Sequence, residues 1–110
     1  MNPESPDKPI RSSRADDPEV EERIDVFVFG LGEIIDGVQD AELAGDRVAL
    51  ARLAQDLART SLELGYEPLA LASDKVAVAC REAGPDATRK SVAELTRLTE
   101  RVRRGHRSAA

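Results

Sequence analysis

Apolar residues recur every three or four positions along most of the chain, which is the spacing of an amphipathic helix. Pro18 and the acidic residues around it suit the start of a first helix, which we predict over residues 19–44. The run 24–29, rich in Val, Ile and Phe, could also form a strand, but no second strand pattern is present to pair with it. The apolar positions that support the helix are Val20, Ile24, Phe27, Leu31 and Val38.

Glycine-containing segments interrupt this pattern at 44–46, at Gly65 and at 84–86. The interruptions delimit three more predicted helices, over 47–64, over 66–83 and from about 87 to 104. Because short connections make successive helices antiparallel, the amphipathic faces can be buried together in one core. The sequence therefore predicts an all-α fold, an antiparallel up-down four-helix bundle over residues 19–104.

The two ends of the chain differ from the predicted bundle. Residues 1–18 are rich in proline, serine and mixed charges and lack apolar periodicity, so we expect a disordered, flexible N-terminal arm. Gly105 is expected to end the fourth helix, and residues 105–110 to form a C-terminal tail. The apolar surface of the first helix extends to Val26 and Phe29, which we expect to pack against the arm or the fourth helix. A homodimer contact through the first helix is the alternative.

Within the first helix, Gly30 and Gly32 could suggest a phosphate-binding loop. The rest of such a motif and its preceding strand are absent, so we interpret the two glycines as positions of close helix packing.

Composition narrows the range of functions. The chain of 110 residues holds two Phe, one Tyr and no Trp, so its core must be aliphatic. No apolar stretch is long enough to span a membrane, and the first residues do not resemble a signal peptide, so we expect a cytoplasmic location. The net charge is −5, yet residues 89–110 hold seven basic and two acidic groups. We interpret these cations as complementing a helix dipole, and nucleic-acid binding is disfavoured because stacking aromatic side chains are lacking.

The sequence offers no catalytic arrangement. The single histidine, His106, falls in the predicted tail, away from any helix that could position it as a base or phosphoacceptor. The single cysteine, Cys80, occupies a predicted core position, and the carboxylates are spread over solvated faces. We therefore expect a protein that is not an enzyme and that has no catalytic residues, no metal and no cofactor.

Residues 54–65 read AQDLARTSLELG. This segment resembles the signature helix of histidine phosphotransfer (HPt) domains, which typically reads Ala-His-x-Leu-Lys-Gly-Ser-Ala-x-x-Leu-Gly. Ala54, Leu57, Leu64 and Gly65 match that pattern. The similarity extends over about residues 20–104 and implies the HPt four-helix bundle.

Three departures fall on the functional positions of the motif. Gln55 stands where the family has its phosphorylated histidine, Ala58 replaces the lysine, and Arg59 replaces the glycine that lets a partner approach. The resemblance therefore implies a degenerate member of the family that has lost phosphotransfer.

Helical periodicity places Gln55, Arg59, Leu62 and Tyr66 opposite the buried side of the second helix. Exposed apolar groups around an arginine are typical of protein-binding surfaces. We predict a partner-binding site formed by Gln55, Ala58, Arg59, Leu62 and Tyr66. The resulting hypothesis is an HPt-like adaptor in bacterial two-component or phosphorelay signalling that binds a receiver or histidine kinase domain. The alternative is a self-associating helical module, a homodimer with no signalling role.

Overall fold

The computed structural model of this chain describes residues 8–109, and the predicted all-α fold is confirmed over that range. No strand occurs in these residues, so the strand alternative for 24–29, which lies inside the first helix, is wrong. None of the described helices is both long and apolar enough to cross a membrane. The four helices are α1 (Glu21–Leu43), α2 (Arg47–Glu63), α3 (Glu67–Glu82) and α4 (Pro85–Ala109).

Contacts at the two ends of the bundle show that the helices run up and down alternately. Near the start of α1, Arg23 forms an ion pair with Glu63 at the end of α2, 2.7 Å away. At the opposite end, the Arg47 guanidinium at the start of α2 donates a hydrogen bond of 2.7 Å to the carbonyl of Ala83, which follows α3. Each helix packs against two others, α1 and α3 both lying against α2 and α4.

The core is aliphatic, as the composition predicts. Its aromatic part is a pair formed by Phe27 and Tyr66, whose ring centroids are 5.9 Å apart. Six aliphatic side chains from α1, α3 and α4 have no exposed surface: Leu31, Val38, Leu69, Val76, Leu95 and Val102.

Residues 8–18, which we name the N-terminal strap, correct the prediction of a disordered arm. The strap is held by backbone hydrogen bonds, from the Ile10 N–H to the Arg101 carbonyl (3.0 Å) and from the Ser13 N–H to the Gly65 carbonyl (2.8 Å). The buried hydroxyl of Ser12 donates to the carbonyl of Leu64. Local composition missed these contacts because their partners lie about fifty to ninety residues further along the chain. Residues 1–7 of the predicted arm lie outside the described residues.

The predicted end of α4 at Gly105 is also wrong, because the helix continues to Ala109. Gly105 is buried against the strap: a Cβ atom built there would lie 2.1 Å from the carbonyl oxygen of Ile10. A glycine inside a helix costs about 1 kcal/mol relative to alanine, which is not by itself enough to end the helix. Its role here is to make room for the strap.

Two expectations for α1 are corrected as well. Val26 and Phe29 do not pack against the strap or α4; they are 68% and 94% exposed. Gly30 and Gly32 do not mark close helix packing, because a Cβ atom on Gly30 would meet nothing within 4 Å and one on Gly32 only the Arg103 guanidinium at 3.9 Å.

Candidate partner-binding face

The exposed side of α2 carries most of the predicted partner-binding residues. Gln55 and Arg59 are exposed, and Leu62 is 61% exposed. The buried side of the same helix holds Leu50, Ala54, Leu57 and Ser61. Five exposed side chains spaced alternately by four and three residues form one line along α2, which we name the α2 face: Val48, Arg52, Gln55, Arg59 and Leu62.

The α2 face is basic in the middle and apolar at its two ends. Arg59 forms an exposed ion pair with Asp56, which lies at the edge of this line. Such a pair contributes little to stability in water, so the guanidinium can be recruited by a partner at small cost. Ala58, the fourth of the predicted site residues on α2, is half-buried.

Tyr66 is the predicted site residue that the structure places elsewhere. It is 2% exposed and packs against Phe27, so it cannot belong to an exposed face. The prediction extended the periodicity of α2 beyond the end of that helix. Gly65, with φ of 83°, turns the chain there and directs Tyr66 inward. Burial raises the pKa of the Tyr66 hydroxyl, and the negative charge of Asp25 adds to that shift.

His106 lies inside α4 and not in a tail. Its Nε2 atom is 3.2 Å from the Asp25 carboxylate of α1, at the end of the bundle where the strap crosses. Both residues, with Tyr66, line a cavity of about 440 Å³ between the strap and the helix ends. His106 is therefore on a different element from Gln55, and it interacts with a carboxylate of its own chain.

The remaining reactive group is the thiol of Cys80, which is buried in the core. Burial raises its pKa, so the reactive thiolate is disfavoured. Across the described part of the chain, no three His, Cys, Asp or Glu side chains gather as a metal site would require.

Sequence reasoning missed a second exposed surface, on α1. Phe29, Glu33, Asp36, Asp40 and Leu43 are all exposed and follow the same four-and-three spacing as the α2 face. We name these five residues the α1 face. The signal in the sequence is the breadth of the apolar surface of the first helix, which predicts packing against the arm or the fourth helix, with a homodimer contact as the alternative.

The chain was compared with family models, with curated proteins and with solved structures, and none of them matches it.

Proposed function

We propose that this protein is a non-catalytic, HPt-like adaptor that binds a receiver domain or a histidine kinase domain in bacterial two-component or phosphorelay signalling. The observation that supports it most is the exposure of Gln55 in the middle of the α2 face of a four-helix bundle. That is the position that the HPt resemblance of residues 54–65 requires for contact with a partner.

The chemistry of the α2 face favours binding without phosphotransfer. The amide nitrogen of Gln55 has its lone pair delocalised into the carbonyl and is not a nucleophile. Ala58 brings no cation that could offset phosphoryl charge. Arg59 adds a large side chain where the resemblance implies glycine, so a partner would dock on the guanidinium instead of approaching the helix backbone.

The same residues can supply binding free energy. Covering an apolar side chain such as Leu62 or Val48 contributes about 25 cal/mol per Å² removed from water. Arginine is enriched among the residues that dominate protein interfaces, because its planar group stacks and donates several hydrogen bonds. Leu62 and Arg59 are therefore the side chains whose loss should weaken a complex most.

The experiment measures binding of the purified protein to a panel of bacterial receiver domains and kinase dimerisation domains by calorimetry. At least one domain should bind, and Leu62→Asp and Arg59→Glu should each weaken that complex tenfold or more. Leu71→Asp is the matched control, because Leu71 lies on α3 and is 65% exposed, close to the value for Leu62. If no domain binds, or if the control weakens binding as much, the proposal is wrong.

A second experiment tests the loss of phosphotransfer. The triple variant Gln55→His, Ala58→Lys, Arg59→Gly restores the three motif positions of the HPt family. When mixed with a bound receiver charged by acetyl phosphate, this variant should acquire an acid-labile phosphoryl group, while the unaltered protein should acquire none. Labelling of the unaltered protein would contradict the proposal.

A further inference from the structure

The α1 face combines exposed apolar groups with an excess of acid. Phe29 is 94% and Leu43 80% exposed, and between them lie the carboxylates of Glu33, Asp36 and Asp40. No basic residue lies on this line, and within residues 8–106 these three carboxylates form no ion pair. Leaving a phenylalanine side chain in water forgoes the favourable free energy of burying it. The partner that covers the α1 face must therefore bring cations and apolar groups.

A second copy of the chain has such a surface in its α2 face. That face has two cations, Arg52 and Arg59, between the apolar groups Val48 and Leu62. Arg52 and Arg59 are seven residues apart, and so are Glu33 and Asp40 of the α1 face, which gives both pairs a separation of about 10.5 Å along their helices.

The positions along the two faces also match in order. Gly37 lies opposite Leu53 in the α1–α2 hairpin, since a Cβ atom there would be 3.9 Å from Leu53 Cδ1. Counting outward from this contact brings each residue of the α1 face to within two residues, about 3 Å along the helix axis, of the height of one residue of the α2 face. The residues at similar heights are Phe29 and Leu62, Glu33 and Arg59, Asp36 and Gln55, Asp40 and Arg52, and Leu43 and Val48.

We propose that two copies of this chain form a symmetric dimer in which the α1 face of each copy binds the α2 face of the other. A two-fold axis parallel to the helices leaves every residue at its own height and sets α1 of one copy opposite α2 of the other. Both contacts then form together. The carboxylates of Glu33 and Asp40, on the side of α1 nearer α2, meet the guanidinium groups of Arg59 and Arg52, and the apolar groups lie at the margins of the contact.

Charge disfavours the other symmetric arrangement, in which α1 packs on α1. That contact would bring six carboxylates of the two α1 faces together without a cation, and like charges held close across an interface are repulsive. The proposed dimer also covers Gln55 and Arg59, so it would compete with a signalling partner. This competition rests on the proposed function, whereas the dimer itself does not.

The test uses charge exchange followed by sedimentation velocity over a range of protein concentrations. The unaltered protein should dimerise reversibly. Glu33→Arg and Arg59→Glu should each weaken the dimer about tenfold or more, because each creates two like-charge contacts. An equimolar mixture of the two variants should dimerise again. In one contact the guanidinium introduced by Glu33→Arg then meets the carboxylate introduced by Arg59→Glu, and the other contact is unchanged. Lys75→Glu on α3 is the control and should leave the dimer intact.

Circular dichroism establishes that each variant is folded, so that loss of the dimer is not loss of the fold. A protein that stays monomeric at every concentration, or a mixture that does not recover the dimer, would overturn the proposal. The result also separates this dimer from the signalling role. Glu33→Arg leaves the α2 face intact and should bind a receiver domain at least as well as the unaltered protein, whereas Arg59→Glu should not.

Discussion

Gly105 of α4 lies directly against the backbone of Ile10 in the N-terminal strap. The space for a side chain at this position is already occupied, because a Cβ atom would lie 2.1 Å from the Ile10 carbonyl oxygen and 2.7 Å from the Ile10 carbonyl carbon. Beside this contact, the Ile10 N–H donates to the Arg101 carbonyl at 3.0 Å. The absence of a side chain at Gly105 thus lets the strap bond to the last turns of α4.

The first prediction concerns this contact. Gly105→Ala should displace the strap and lower the free energy of unfolding by about 1–3 kcal/mol, since the Ile10 N–H then loses its hydrogen bond to the Arg101 carbonyl. Gly30→Ala is the control, because Gly30 is also helical but has nothing within 4 Å of an added Cβ. That control should be stabilising by up to about 1 kcal/mol. Urea denaturation measures the free energy of unfolding of both variants. Equal effects of the two substitutions would show that the strap is not held at Gly105.

The second prediction concerns a buried hydroxyl in α2. Among the described residues the Ser61 Oγ atom has no hydrogen-bond partner, whereas the buried Ser73 hydroxyl donates to the Leu69 carbonyl at 2.8 Å. Removing an unsatisfied buried hydroxyl relieves a desolvation cost, so Ser61→Ala should raise the free energy of unfolding by about 1 kcal/mol. Ser73→Ala gains the same helix propensity but loses a hydrogen bond. Its free energy of unfolding should therefore be lower than that of Ser61→Ala. The prediction is wrong if thermal and urea denaturation rank the two variants in the opposite order.

The third prediction uses the single tyrosine of the chain, so that tyrosinate absorbance reports on Tyr66 alone. Because burial and the charge of Asp25 raise the pKa of Tyr66 above its ordinary value of 10.0, the folded protein should ionise at higher pH than the chain in concentrated urea. The folded state favours the neutral phenol. The preference of the folded protein for the neutral Tyr66 side chain therefore contributes fully to stability below pH 10. This contribution is lost as the pH rises through the pKa of Tyr66 in the folded state. Coincident titration curves for the folded and unfolded chains would contradict the burial of Tyr66.

The fourth prediction concerns acid. The Arg23 guanidinium, by hydrogen bonding and by charge, lowers the pKa of the Glu63 carboxyl, and the hydrogen bond from Arg14 lowers the pKa of Asp17 in the strap. Carboxylates with a lowered pKa contribute stability above their unfolded pKa, and that contribution is lost as the pH falls through the folded pKa. The melting temperature should therefore decline below about pH 4.5, and less steeply in Arg23→Gln. Added salt should reduce the difference between the two proteins, because these groups are exposed.

The helical architecture and the exposure of Gln55 could be predicted because both depend on local regularities. A side chain repeated at helical spacing must lie on one side of its helix, so the buried Leu57 and the exposed Gln55 follow from their separation along α2. The same rule failed for Tyr66, because periodicity holds only while the helix continues and Gly65 ends it. Helical periodicity also could not predict whether the Phe29 side chain is buried, because its burial depends on which other elements lie beside α1.

By itself, then, the sequence determined the four amphipathic helices, their short connections and the amide at position 55, all of which are set by neighbours a few residues away. Only the tertiary structure decided that the strap closes one end of the bundle, that α4 continues through Gly105 and that Phe29 stays in water. Each of these depends on contacts between segments distant in the chain. Local propensities of about 1 kcal/mol per residue are outweighed there by packing and by long-range hydrogen bonds.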